Sequence, residues 1–196
     1  MKMSWLGYVA SSLASLLSVS QVPFAFSGKA TTALPYLNTL CVCVLWLAYA
    51  IDHKNLFIYV PNALGILAGM ISIIGSKKFE MWFNIPLATV FLLFFISDQI
   101  RLIYRFILIV AGIVLFISPI YDIIQCCMSH VTIKTSWLFL WVSVVNTIVW
   151  IIYGVVQGLW AVWVSNGLGL VFILIQMIVI VVYNSSIKRE ELLLNV

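Results

Sequence analysis

Two aromatic–amide pairs carry the chemistry this chain can offer. Trp46 and Asn62 lie 16 residues apart, and Trp150 and Asn166 repeat the pair 104 residues further on with the same spacing and no gap. The surroundings repeat as well. Trp46-x-x-Tyr49 matches Trp150-x-x-Tyr153, and Asn62-Ala63-Leu64-Gly65 matches Asn166-Gly167-Leu168-Gly169. An amide presents both N–H donors and a carbonyl acceptor to hydroxyl groups. An indole presents a flat apolar face to C–H surface and one N–H donor. Two of each, converging on one point, suit a neutral polyhydroxylated ligand. The same residues admit a plainer reading. Asparagines join membrane helices at ~0.6–2 kcal/mol each, and tryptophans anchor helices at the membrane–water interface. The matching of both pairs in two copies favours a duplicated site.

The elements that must position these residues follow from composition. The chain is 64% hydrophobic and 8% charged, where soluble domains carry about 25% charged residues. Its apolar runs reach the ~20 residues that a helix needs to cross ~30 Å of hydrocarbon. A membrane β-barrel would show ~10-residue segments of alternating polarity, and these runs do not alternate. The expectation is an all-α integral membrane protein with seven spans, near residues 4–26, 34–51, 56–75, 81–97, 103–126, 136–156 and 159–183. The first run has no evident small-residue cleavage site and is read as a retained helix. The loops are short, so consecutive helices are expected to be antiparallel neighbours.

The repeat sets the architecture. Spans 2 and 3 match spans 6 and 7, and span 1 is paired with span 5 through Ser20-Gln21-Val22-Pro23 and Ser118-Pro119-Ile120-Tyr121. An odd linker between the triplets keeps both in one orientation, so they form two parallel three-helix bundles joined by a linker helix, a 3+1+3 layout. The units are 1–80, a linker helix at 81–101, 102–184, and a cytoplasmic tail at 185–196. Trp46 falls about 7–8 Å below the end of span 2, and Asn62 about 9 Å below the start of span 3, at ~1.5 Å per residue. The pair therefore lies at one depth, and Trp150 with Asn166 does the same.

Charge and reactive groups exclude several function classes. The only acidic residue placed within a span is Asp122, at the inner end of span 5. Intramembrane acids are the usual proton or sodium carriers, so their absence at the depth of the Trp–Asn ring argues for passive movement. No nucleotide-binding loop or hydrolytic constellation is present, so neither an ATP-driven pump nor an enzyme is expected, and no cofactor. Cys41, Cys43, Cys126 and Cys127 have no His at metal-ligand spacing and read as buried free thiols, with no metal site. The net charge of +4 is spread over loops and points to no nucleic acid. With the N-terminus outside, six Lys and Arg fall on the inner side against four on the outer, a weak bias toward an inner C-terminus. Pro23, Pro35 and Pro119 lie in the inner halves of their helices. Proline weakens a helix locally, so they read either as a hinge and gate or as ordinary kinks. Gly65 and Gly69 form a Gly-x-x-x-Gly element, read as close packing inside the bundle.

The motifs Leu34-Pro35-Tyr36, Trp46-x-x-Tyr49, Val60-Pro61-Asn62, Ser118-Pro119, Trp150-x-x-Tyr153-Gly154 and Asn166-Gly167-x-Gly169 occur in an order and spacing that resemble the SWEET sugar transporters, over nearly all of the chain. Parallel repeats are the known architecture of that family, so this feature is not independent of the resemblance. The resemblance implies a facilitator that lets mono- or disaccharides run down their gradient by alternating access. It implies Asn62, Asn166, Trp46 and Trp150 as the sugar-binding residues. It associates Pro23, Pro35 and Pro119 with the inner gate, and Tyr49 and Tyr153 with the outer one. The chain departs from the family pattern at the first gating proline, where Gln21 stands with Pro23 two residues on. It also lacks the fourth proline, near Ser136, and the acid after the second Tyr motif, where Gln157-Gly158-Leu159 stands.

The expected setting is a multi-pass protein of the plasma membrane or an intracellular membrane. Its partners are a small sugar and the bilayer, with homo-oligomers open. The alternatives are a related repeat carrier for amino acids or another small metabolite, a seven-helix receptor, or a scaffold that keeps the fold without transport. A receptor gives no reason for the repeat. A charged substrate would want a charged partner in the cavity.

Overall fold

The computed structural model describes residues 4–27, 34–77, 123–124, 127–129 and 137–194. The expected linker helix, most of span 5, Pro119, Asp122 and Cys126 lie outside the described residues. Within them the chain is helical: α1 (Ser4–Phe26), α2 (Leu34–Asp52), α3 (Leu56–Ser76), α4 (Trp137–Gln157) and α5 (Trp160–Leu194). Long unbroken apolar sequence produces these helices, because in hydrocarbon every backbone N–H and C=O must be satisfied within the segment. Ser4–Phe26, Leu56–Ser76, Trp137–Gln157 and Trp160–Ile187 are each long and apolar enough to cross a membrane, and α2 adds a shorter apolar stretch, Tyr36–Asp52. Large apolar side chains such as Leu138 and Ile74 point outward, at 75% and 71% exposure, as a lipid-facing surface requires.

Both helical hairpins turn in the same way. Asn55 N–H reaches back to the Ala50 carbonyl at 2.8 Å, and Leu159 N–H reaches back to the Gly154 carbonyl at 2.8 Å. Each closure places one residue in the left-handed region, Lys54 (φ 50°) in the first hairpin and Gly158 (φ 69°) in the second. A left-handed residue that satisfies the last carbonyls is a common way to end a helix, and glycine takes it without steric cost. These positions are again 104 residues apart, so the repeat extends from side chains to backbone. The first hairpin adds a cap: Asn55 Oδ1 accepts from Phe57 N–H at 3.1 Å and Ile58 N–H at 3.3 Å, worth about 1 kcal/mol.

Helix packing departs from the expectation that consecutive helices are neighbours. α3 packs along both α1 and α2 and so lies between them. α1 and α2 also meet, where Thr39 Oγ1 donates to Gln21 Oε1 at 3.3 Å and where Ala25 packs in one cluster with Tyr36. The connection between them spans about seven residues, enough to step across a helix some 10 Å wide at ~3.3 Å per residue. α2 and α3 pack tightly because α3 carries glycines there. A methyl group on Gly65 would overlap Cys43 Sγ, and one on Gly69 would lie 3.2 Å from Leu40 Cβ and 3.3 Å from the Tyr36 carbonyl. The Gly-x-x-x-Gly element therefore serves packing within the bundle. α4 packs on α5, and α1 crosses to α4 to join the two halves.

The buried clusters differ from one end of the bundle to the other. One draws on all five helices, with Leu6, Tyr49, Ile58, Tyr153 and Val162 among its members. It sits at the end that holds both hairpin turns. Toward the other end the apolar clusters stay within one half, Ala25 with Tyr36 in the first and Leu140 with Met177 in the second. Among the described residues the halves are thus joined by a core at one end and have separate cores at the other. α5 runs eleven residues beyond the expected end of its span, since the sequence after Tyr183 contains neither Gly nor Pro and is rich in helix formers.

Candidate functional site

Between the halves lies a cavity of about 270 Å³. Trp46, Asn62, Trp150 and Asn166 all line it. Trp46 comes from the last turns of α2 and Asn62 from the second turn of α3; Trp150 and Asn166 come from the equivalent turns of α4 and α5. The depth expected for each pair from helix rise is consistent with this common wall.

The two asparagines are held alike. Asn62 Nδ2 donates to the Ile58 carbonyl at 2.7 Å, and Asn166 Nδ2 donates to the Val162 carbonyl at 2.8 Å. A carbonyl can only accept, so the amide nitrogen must face the helix in both cases, and each Oδ1 is the half left over to accept from a guest. The tryptophans are held alike too. Trp46 meets the ring of Tyr49 edge-on at 5.4 Å and 76°, and Trp150 meets Tyr153 at 5.5 Å and 89°. Such pairs add about 0.5–1.5 kcal/mol beyond area burial and hold each indole in place at the cavity wall.

Tyr49 and Tyr153 are buried in the shared core on the side of the hairpin turns, at 1% and 2% exposure. Their outer partners differ. The Tyr49 ring stacks on His53 at 4.0 Å and 17°. The Tyr153 hydroxyl crosses to the first half, 2.8 Å from Asn55 Nδ2 and 3.0 Å from Asn55 Oδ1. Of the expected gating prolines, Pro23 lies in the last turns of α1 with its side chain exposed. Pro35 lies in the first turn of α2, its side chain outside the described residues, and Pro119 lies outside them entirely.

Several residues at the site were not assigned to the cavity from sequence. Asn146, Gln21, Ser18, Pro61 and Cys43 also line the cavity. Asn146 stands one turn before Trp150, and its Oδ1 is buried without a hydrogen-bond partner. The sequence holds a signal for Asn55, since a Ser, Thr, Asp or Asn just before an apolar run usually marks a helix cap. Among the described residues, none that lines the cavity is charged, and none of the His, Cys, Asp and Glu side chains cluster as a metal site. Cys41 and Cys43 are buried free thiols, and Cys127 is free and half-buried.

Comparison with known proteins bears on what this cavity receives. The family described as sugar efflux transporter for intercellular exchange matches residues 4–75 and 103–188. Among curated proteins, bidirectional sugar transporter SWEET7b of Oryza sativa subsp. japonica is 24% identical over 176 residues, covering 80% of this chain and 66% of that protein. The chain thus spans just under two thirds of that relative's length. Among solved structures, a eukaryotic SWEET transporter is similar with a TM-score of 0.68 at 15% identity, covering 94% of this chain and 100% of the other. At that identity the likeness concerns the fold.

Proposed function

This chain belongs to the family of sugar efflux transporters for intercellular exchange, the SWEET family, and on that premise we propose that it is a passive sugar carrier. It is a transporter and not an enzyme. In this reading Trp46, Asn62, Trp150 and Asn166 hold one neutral mono- or disaccharide at the midplane. The seven spans form the two parallel bundles and linker helix of the 3+1+3 layout. The protein crosses the plasma membrane with its N-terminus outside and its C-terminus in the cytoplasm.

The observation that carries the reading is the convergence of four repeat-related side chains on one cavity whose described lining is uncharged. The amide oxygens accept from sugar hydroxyls, the indole N–H groups donate, and the indole faces cover C–H surface. Among the described residues the wall carries no charge, and such a wall gives an ion no compensation for lost hydration, which fits a neutral guest and movement without ion coupling.

Alternating access needs one end closed while the other admits the guest. The shared core and the Asn55–Tyr153 bond support closure at the hairpin-turn end, and the separate cores support an opening at the opposite, cytoplasmic end. Tyr49 and Tyr153 form the outer gate. Pro23, Pro35 and Pro119 weaken the helices that rearrange at the inner gate. Each half then moves largely as a rigid body about the bound sugar.

The test is uptake of labelled glucose and sucrose into cells that lack their own sugar carriers. Uptake of either sugar that follows its gradient in both directions supports the reading. Absence of flux for both, with the protein present in the membrane, contradicts it.

A further inference from the structure

The cavity does not end at the Trp–Asn pocket. Among the described residues, Gln21 of α1 and Thr39 of α2 also line it, and Phe139 of α4 lines it eleven residues before Trp150. The glycine contacts set how far in the Gln21–Thr39 pair lies. A methyl group on Gly69 would stand 3.2 Å from Leu40 Cβ. Thr39, next to Leu40, is therefore level with the part of α3 seven residues past Asn62, and it lies seven residues from Trp46 on α2. Seven helical residues rise about 10 Å. The pair is displaced from the Trp46–Asn62 level by that distance, away from the hairpin turns and toward the end with separate cores.

Thr39 Oγ1 donates to Gln21 Oε1 at 3.3 Å. With its oxygen engaged, the Gln21 amide has its nitrogen left to meet a guest, and an amide nitrogen only donates. The pocket offers the complement. Asn62 and Asn166 spend their nitrogens on helix carbonyls and keep their oxygens to accept. A sugar has hydroxyls that both donate and accept, and oxygens within and between its rings that only accept. The side chains also lean toward one another. Each tilts toward the N-terminus of its own helix, which carries Trp46 inward and Gln21 back toward the pocket. A guest of one ring fills the pocket, and a guest of two linked rings reaches on to Gln21. Polar pairs also tie membrane helices together, but that role alone would treat both guests alike.

We propose that Gln21, positioned by Thr39, forms a second-ring subsite: a disaccharide places one ring among Trp46, Asn62, Trp150 and Asn166, and an oxygen of its second ring accepts from the Gln21 amide. The inference rests on the reading of this cavity as a sugar site. It makes disaccharides the favoured guests, since a monosaccharide in the pocket leaves Gln21 unused. Gln21 stands where the chain departs from the pattern of its family, so the subsite belongs to this chain's own sequence.

The test is titration of the purified protein in detergent with glucose and with sucrose, read by tryptophan fluorescence, since Trp46 and Trp150 line the cavity. The unaltered protein is expected to bind sucrose about tenfold more tightly than glucose, the scale of one hydrogen bond. Gln21→Met, close in shape and unable to donate, brings sucrose to the glucose value and leaves glucose unchanged. Should Gln21→Met fail to purify as folded protein, Gln21→Ala decides on the same two sugars. Equal losses for both sugars, or sucrose binding untouched by the change at Gln21, overturn the inference and leave the pocket standing. Glucose bound at least as tightly as sucrose by the unaltered protein does the same. Failure of the unaltered protein to bind either sugar overturns the underlying reading as well, so the two failures are distinguishable.

Discussion

Asn55 of the first half holds the Tyr153 hydroxyl of the second, with Nδ2 at 2.8 Å and Oδ1 at 3.0 Å. The same Asn55 oxygen caps α3. One amide therefore both starts a helix and fastens the halves together above the cavity. Tyr153→Phe removes the fastening and spares the cap. We expect it to loosen the closed end by about 1 kcal/mol, the net worth of one hydrogen bond. Asn55→Ala removes both, and is expected to cost about 1 kcal/mol more through the lost cap. The measurement is the labelling rate of Cys43, which lines the cavity, by a membrane-impermeant thiol reagent added on the hairpin-turn side. Faster labelling in Tyr153→Phe is expected, and an unchanged rate would show that the bond does not hold this end shut.

Removing either amide from the matched pair should remove transport without removing the protein. Asn62→Ala and Asn166→Ala each delete an acceptor, along with a side chain anchored to its own helix. We expect uptake to be abolished by either change while membrane abundance stays near normal. Full uptake by either variant would exclude that residue from the pocket.

Gly65 predicts a compensating pair. A methyl group there overlaps Cys43 Sγ, and overpacking of this kind typically costs ~1–3 kcal/mol. Gly65→Ala should therefore lower thermal stability in detergent. Adding Cys43→Ala, which removes the sulfur, should restore most of the loss. Equal stability of the single and double variants would contradict the packing described for α2 and α3.

The second hairpin has less room to adjust. A methyl group on Gly154 would stand 2.8 Å from the backbone nitrogen of Trp163, and a backbone atom cannot swing aside as a side-chain tip can. Gly154→Ala is expected to separate α4 from α5 and displace Trp150, one turn away. Lower membrane abundance and lost uptake together are the expected outcome, and normal values for both would contradict it.

How much of this was legible in the sequence depends on what each residue must do locally. The described helices could be read because hydrocarbon demands long apolar runs, and α1 through α4 begin and end within about a residue of expectation. The Trp–Asn pairs could be read because duplication wrote them twice. Asn146 was missed for the converse reason: its repeat partner is Val42, and a search for matched residues passes over the one that does not match. The placement of α3 between α1 and α2 was missed because a connection of this length permits either arrangement, and only the glycine contacts of α3 decide. The overrun of α5 was missed because polarity, which ends a membrane span, does not end a helix.

The central claim is that two aromatic–amide pairs pass one uncharged sugar across the membrane without driving it. Counterflow in liposomes containing the purified protein measures this most directly. Vesicles loaded with unlabelled glucose and diluted into a trace of labelled glucose should take up label transiently above its equilibrium level. Without preloading, they should only equalise, with or without an imposed proton or sodium gradient. Asn166→Ala vesicles should show neither behaviour. Sustained accumulation of sugar driven by an ion gradient, or flux undiminished in Asn166→Ala, would contradict the account.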